Sequence, residues 1–318
     1  MLLNQYKIAI KNIYCRIFGK YSFIAADITN HCNLRCPFCV NDFKSADQRP
    51  IKMREDTFRQ LIKLIPLARS GHFFLSCSFE PTLHPDMAEY FSIIPNSYRK
   101  RVFFTTNLCK KLSEKEIKAI ANSGFRHINI SLDTFNPALF EQLRKGSRFD
   151  IFISNLERLC LACKKSKSPP KIRYITIALR PNLADLKKIV ERCQKEFLAS
   201  ENEIRYCFNV PHLSAQWKAE SLPTAADWQK IQQEMSNLSH RITIIPPPPN
   251  YYKLNHLESG KSSFNPVYFP LDLNKEEIAL RCDADGILRL IGREKAISIN
   301  LNILRNPKKA LKALIRSL

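Results

Sequence analysis

Cys32, Cys36 and Cys39 stand at Cys-x3-Cys-x2-Cys spacing. Thiolates are soft ligands and suit iron–sulfur clusters or zinc. A closed cluster or a structural zinc site usually takes four protein ligands. The local count stops at three, and no histidine follows at finger-like spacing. His31 directly precedes Cys32 and is poorly placed to share its metal. Three cysteines on a 4Fe–4S cluster leave one iron open to an external ligand. The alternatives are three ligands of a structural zinc site, or a chance cluster.

The cysteine loop follows an apolar run, residues 23–29, that reads as a strand. From residue 21 onward short β-branched runs alternate with helical periodicity. Strands are predicted over 22–29, 72–76, 101–106, 127–132, 172–178 and 203–208. Helices are predicted between them over 56–67, 85–94, 113–123, 150–162 and 183–198, with Ser113 and Glu116 as a capping box. Strict βα alternation implies a parallel sheet with helices outside, the α/β class. In barrels of this kind the working groups sit at the C-terminal ends of strands. Polar groups do follow the predicted strands: Glu80 and Pro81 after the second, Thr106 and Asn107 after the third, Ser131 and Asp133 after the fourth, Arg180 after the fifth.

This order of segments resembles the radical S-adenosylmethionine (SAM) superfamily, over residues 21 to about 210. The resemblance implies a partial, six-stranded TIM-like barrel. It implies one 4Fe–4S cluster on Cys32, Cys36 and Cys39, with the open iron chelated by the amino and carboxylate groups of SAM. An electron from the cluster would cleave SAM and yield a 5′-deoxyadenosyl radical, so that the cofactor carries the hard chemistry. Phe38, the aromatic residue before the third cysteine, would lie near the adenine. The segment 78–81 is similar to the family's Gly-Gly-Glu-Pro loop, with Ser78 and Phe79 in place of the glycines. Its Glu80 would contact the SAM amino group. Thr105-Thr106-Asn107 resembles a Thr-Asn-Gly turn with Leu108 in place of glycine, and Ser131-Leu132-Asp133 a motif that reaches the ribose or methionine part of SAM. Arg144-Lys145-Gly146 and Asn155-Leu156 continue the match. Arg180 would clamp an anionic group, the SAM carboxylate or a substrate phosphate, or else stand as a solvated loop arginine.

Three regions are expected: a basic amphipathic helix over 1–20, the barrel over 21–215, and a C-terminal region over 216–318. In the last, 225–238 reads as a helix, 241–245 as a strand-like run, 246–249 as a stiff proline connector, 279–291 as a hairpin turning at Asp285-Gly286, and 306–316 as a basic helix. The shape resembles the family's small SPASM or twitch domain, but its auxiliary cluster ligands are missing: Ile291 stands where the hairpin would offer a cysteine, and Cys282 alone cannot hold a cluster. Cys77, at a strand end, is a candidate hydrogen donor, or else a buried core cysteine.

The chain has 318 residues, 45% of them hydrophobic, enough for one large α/β domain plus a smaller piece. No secretory signal and no stretch of membrane-spanning length is visible. The 11 cysteines and an oxygen-sensitive cluster point to a reducing cytoplasm. The net charge of +21 favours polyanions or anionic membranes through its long-range field, or belongs to a solvated surface. The first helix leaves a peripheral membrane contact open, or packs across the barrel bottom. The basic loop over 162–173 lacks interleaved aromatics, so a nucleic-acid partner is poorly supported. The expected partners are a reductant such as flavodoxin or ferredoxin and a small-molecule or peptide substrate, with an anionic one favoured by the charge. The alternatives to an enzyme are a radical SAM fold that binds a peptide, an anionic ligand or a membrane without turnover, and a basic zinc protein that binds nucleic acid.

Overall fold

The computed structural model describes residues 13, 15, 17–41, 49–69, 72–76, 78–208, 210, 212–248, 251, 279–291 and 298–317. Seven strands follow one another in a parallel run: β1 (Ile24–Ala26), β2 (Phe73–Leu75), β3 (Val102–Thr106), β4 (His127–Ser131), β5 (Lys171–Ile177), β6 (Ala199–Arg205) and β7 (Ile242–Ile245). The crossovers carry α1 (Glu55–Ile62), α2 (Met87–Ile93), α3 (Asn96–Arg99), α4 (Glu114–Ala121), α5 (Pro137–Leu143), α6 (Phe149–Lys165), α7 (Leu186–Glu196), α8 (Ala215–Ser221) and α9 (Ala225–Ser236). This is a partial (β/α) barrel of the α/β class. Ser113 caps α4 in a complete capping box with Glu116. The short α5, begun by the cap Asn136 and by Pro137 at its first turn, has no counterpart in the sequence reading.

The C-terminal region joins the same sheet at both edges. β7 pairs in parallel with β6, Arg205 opposite Ile245. β8 (Ala279–Cys282) pairs in parallel with β1, Ala26 opposite Cys282. β9 (Ile287–Ile291) and β10 (Ser298–Asn300) extend that edge antiparallel, giving the order β10-β9-β8-β1-β2-β3-β4-β5-β6-β7. The sheet therefore runs across residue 215 without a break, and the barrel strands number one more than the six expected. The physical cause is the open barrel: β1 and β6 each leave a row of N–H and C=O groups that a further strand can pair. Gly286 turns the β8–β9 hairpin at φ +87°. The closing helix α10 (Pro307–Ser317) packs near the start of the chain, where Tyr21 Oη donates to the Leu311 carbonyl at 2.9 Å.

Most of the helix read over 1–20 lies outside the described residues, as do Cys77 and 252–278. At its described end Ile13, Ile17 and Phe18 are exposed. No helix among the described residues is long and apolar enough to cross a membrane.

The main core fills the space between strands and helices and includes Phe58, Phe73, Phe91, Phe104, Phe125, Phe140 and Phe152. Cys160, Cys163 and Cys193 belong to it. A smaller cluster (Phe23, Ala25, Phe74, Phe103 and Ala279) lies inside the barrel, and a third, around Phe38, Leu143, Leu179 and Leu213, gathers on the mouth side.

Three non-glycine residues among those described have left-handed backbone: Ser76, Leu108 and Leu198. Leu108 occupies the place of a motif glycine and keeps φ at +53°. Ser78 and Phe79, which stand for the other two motif glycines, do not, so neither is strained by its side chain. The conformation that glycine favours sits instead at Ser76, φ +58°, fully buried, with a hydroxyl that has no hydrogen-bond partner. Ser76→Gly is expected to raise stability by about 1 kcal/mol, because it removes the Cβ clash and the unpaired hydroxyl and returns part of that gain as chain entropy. A denaturant midpoint that falls in the variant would contradict this account.

Candidate cofactor site in the barrel

A cavity of about 380 Å³ runs through the barrel, from Cys32, Cys36 and Cys39 at the mouth to His72 and Arg126 at the N-terminal ends of strands. The cysteine loop is anchored from three sides. Arg35 N donates to the Lys145 carbonyl at 2.7 Å, and Glu80 N to the His31 carbonyl at 3.0 Å. Asn107 Nδ2 reaches Asn33 Oδ1 at 3.1 Å and Cys32 Sγ at 3.7 Å. Gly146 lies against the loop at φ +93°, and a Cβ there would meet the Asn33 carbonyl oxygen at 3.1 Å. The positive φ strains any other residue here, and the close approach adds to that strain.

The donor set suits a 4Fe–4S cluster. Leu34 N donates to Cys32 Sγ at 3.5 Å and Asn41 N to Cys39 Sγ at 3.4 Å, the kind of N–H to sulfur contact that tunes such clusters. Among the described residues no three Cys, His, Asp or Glu side chains close on a single ion, whereas a cubane takes each thiolate on a different iron. Burial pushes the Cys32 and Cys36 thiols up to about 12 and raises Cys39 as well. Arg144 opposes the shift at Cys36. The thiolates therefore form together with their metal, and binding releases protons. A fourth cysteine on the cavity wall, Cys207, lies just past the end of β6.

Glu80 is 2% exposed and ties the ends of β2 and β3 together. Its Oε1 accepts from Thr82 N at 3.2 Å, Thr82 Oγ1 at 2.7 Å and Thr106 Oγ1 at 2.7 Å, and its Oε2 accepts from Asn107 N at 2.7 Å. Burial still raises its pKa against these donors, so a cation beside Oε2 would favour the ionised form. Pro81 starts the short helical turn Pro81–Leu83 that Glu80 caps. The preceding Ser78 is held by N–H donation to Asp27 Oδ1 at 3.1 Å and by Arg281 Nη1 donating to its Oγ at 3.0 Å. Arg281 is itself paired with Asp27 at 3.0 Å, so β8 braces the loop across β1.

Phe38, Glu80, Thr106, Asn107 and Ser131 line the cavity with the three cysteines. Asp133 and Arg180 do not. Asp133 is fully buried behind the wall, where Oδ1 accepts from Ile177 N at 2.9 Å and Oδ2 pairs with Arg144 at 2.7 Å. Arg180 is exposed and donates to the Ala219 carbonyl at 2.7 Å, which secures α8. Arg144, by contrast, lines the cavity together with the cysteines; it is buried, with an Nε that has no hydrogen-bond partner.

A protein-family model described as the radical SAM superfamily matches residues 27–193, more than half of the chain. The chain belongs to the radical SAM superfamily. The cofactors that this membership implies are a 4Fe–4S cluster and SAM. A relative from Methanocaldococcus jannaschii, named probable GTP 3′,8-cyclase, is 25% identical over 210 residues, 61% of this chain and 65% of the relative. A GTP 3′,8-cyclase from Vibrio vulnificus is 24% identical over 152 residues, 45% of this chain and 43% of the relative. The chain thus spans less than two thirds of the length of these relatives. Among solved structures, Streptococcus suis SuiB bound to S-adenosylmethionine superposes with a TM-score of 0.64 at 14% identity, covering 99% of this chain and 72% of SuiB. That likeness is one of fold.

Sequence reasoning passed over one wall of the radical SAM barrel: His127 and Asn129 on β4, Arg173 on β5, Glu203 and Arg205 on β6. The signal was available as polar residues at alternate positions of strands, His127-x-Asn129-x-Ser131 and Glu203-x-Arg205. His127 stacks on Phe103 with ring centroids 4.4 Å apart, and its Nε2 lies 3.2 Å from Arg173 Nη2. Burial first, then Arg173, Arg126, His72 and Lys171, lower its pKa to about 3. His127 therefore stays neutral when folded, and the stability this provides is present above its unfolded pKa of about 6.5 and lost as pH falls toward 3. Acidification from pH 8 to pH 5 is expected to cost about 1–2 kcal/mol through this residue. Chemical denaturation at the two pH values should show that loss shrinking in His127→Asn; an equal loss in both proteins would exclude His127 as its source.

Proposed function

We propose that this chain cleaves SAM reductively and that the resulting radical removes a hydrogen atom from a substrate held in the barrel lumen. The single observation that carries the reading is one cavity shared by Cys32, Cys36, Cys39, Glu80, Asn107, Ser131 and Arg144, which come from five consecutive segments of the chain. When bound, the cluster supplies the electron that splits SAM into methionine and a 5′-deoxyadenosyl radical. Cys32, Cys36 and Cys39 would hold it and leave one iron for SAM. Arg144, pinned by Asp133 on one side, would offer its unpaired Nε to the SAM carboxylate. Glu80 would accept from the SAM ammonium through Oε2, its less occupied oxygen. Ser131 would take a ribose hydroxyl, and Phe38 would pack against the adenine at the apolar side of the mouth. Asn107, bonded to Cys32 Sγ and Asn33, keeps the cysteine loop in register with this pocket. A one-electron donor of the flavodoxin or ferredoxin kind is needed, and the substrate is a small molecule or a peptide.

The experiment is anaerobic incubation of the reconstituted protein with SAM and dithionite, followed by chromatography for 5′-deoxyadenosine. Its formation above the level of a Cys36→Ala control is expected. Intact cluster and bound SAM without 5′-deoxyadenosine would favour a binding protein that does not turn over. The unstrained backbone at Ser78 and Phe79 argues against that second reading, because the loop keeps its Glu80 in place without glycines.

A further inference from the structure

The reading above leaves the polar wall of the lumen without a task. Strand register sets the depth of its members. Ser131 stands opposite Ile175, and Ile175 opposite Glu203. Arg205 lies two residues nearer the mouth, opposite Ile177, and Arg173 two residues nearer the foot on its own strand, opposite Asn129. Each such step is about 6–7 Å along a strand. The facing wall is aromatic, with Phe74 and Phe103. The chamber is thus half apolar and half charged, and the charged half begins at Arg205, two residues nearer the mouth than the level of Ser131.

One carboxylate serves two guanidinium groups there. Glu203 Oε2 pairs with Arg173 Nη1 at 3.1 Å, and its Oε1 pairs with Arg205 Nη2. Both arginines line the cavity, so their excess positive charge is held in a poorly solvated space. Arg173 is further occupied by Asn129 Oδ1 at 2.9 Å and by His127. His127 is neutral and adds no counter-charge. Arg205 differs: its Nε is buried and has no hydrogen-bond partner. A buried donor left unpaired is costly, and charged donors more so. The group that completes this arrangement is an anionic acceptor, for which the planar fork of arginine is suited.

We propose that Arg205, with Arg173 behind it, anchors a carboxylate or phosphate group of the substrate in the barrel lumen. The inference rests on the lumen being the substrate chamber, and it narrows the substrate to a molecule with an oxyanion at one end and an apolar or ring portion that fits Phe74 and Phe103. Glu203 holds the two guanidinium groups apart and aims them, which makes it a positioning residue.

The test uses the full chain, reconstituted anaerobically and saturated with SAM so that Arg144 is occupied. Inorganic phosphate and succinate serve as the two probes, and the readout is the thermal midpoint, which rises when a ligand binds the folded state. A saturable rise with at least one probe is expected, and the more effective probe identifies the anion. In Arg205→Gln the probe affinity should fall about 10- to 100-fold, as the loss of a charge-assisted hydrogen bond implies. Arg205→Lys, which keeps the charge beside Glu203 and loses the fork, guards against a variant that fails to fold and should also bind more weakly. No rise with either probe, or equal affinities in wild type and both variants, overturns the proposal. The readout does not depend on turnover, so a protein that makes no 5′-deoxyadenosine yet binds the probe through Arg205 would refute the proposed reaction and leave this site standing.

Discussion

Cys36→Ala is expected to abolish the broad visible absorption of the anaerobically reconstituted protein, and Cys32→Ala and Cys39→Ala should do the same. The three are equivalent in need because each thiolate would bind a different iron, and a cluster held by two protein ligands is not retained. Cys207 lies on the cavity wall and Cys109 is buried beside Asn107 near Cys36 and Cys32, and burial pushes both thiols up. Cys160, Cys163 and Cys193 sit in the core under α6 and α7, and Cys282 is fully buried at the end of β8. Reconstituted wild type should accordingly hold about four irons and four sulfides per chain, the content of one cubane. Full absorption in two of the three variants, or a reproducible content near twice that value, would sink the single-cluster assignment.

Glu80→Ala is expected to cost about 3–5 kcal/mol of stability as well as SAM affinity. The family resemblance casts Glu80 as a contact for the SAM amino group, whose loss would leave the cluster intact. In the folded chain its carboxylate collects four hydrogen bonds from Thr82, Thr106 and Asn107. Alanine would strand these donors in a buried place, and each stranded donor costs about 1–3 kcal/mol before the loop relaxes. Asn107 would lose its backbone anchor and with it the contact to Cys32, so cluster retention should suffer too. Glu80→Gln keeps one acceptor oxygen and should recover part of the stability but little of the SAM binding, since the charge is gone. Thermal midpoints and SAM titrations of the two variants separate the roles. An alanine variant as stable as wild type would show that Glu80 is not the tie between β2 and β3.

The strand and helix alternation, the cysteine loop after the first strand and the polar residues at strand ends are legible along the chain, because these are local. A β-branched run, a capping box at Ser113 and Glu116, or three cysteines within eight residues declare themselves through spacing that no distant contact can alter. Tertiary structure decided which of those polar residues face the cavity. Ser131 and Asp133 share a motif, yet Ser131 lines the lumen while Asp133 turns behind the wall to pair with Arg144. Arg180 was an equal candidate by position and goes to α8, while Arg144, from the stretch after α5, faces the cavity. It also decided that residues 242–245 and 279–282 complete the barrel sheet, since free strand edges at β6 and β1 accept any partner that reaches them. Glu203 between Arg173 and Arg205 belongs to the same class of fact. Alternation places each side chain on one face of its strand, but only register across neighbouring strands fixes which charges meet, and an ion pair in a confined lumen depends on ångströms that spacing along the chain does not encode.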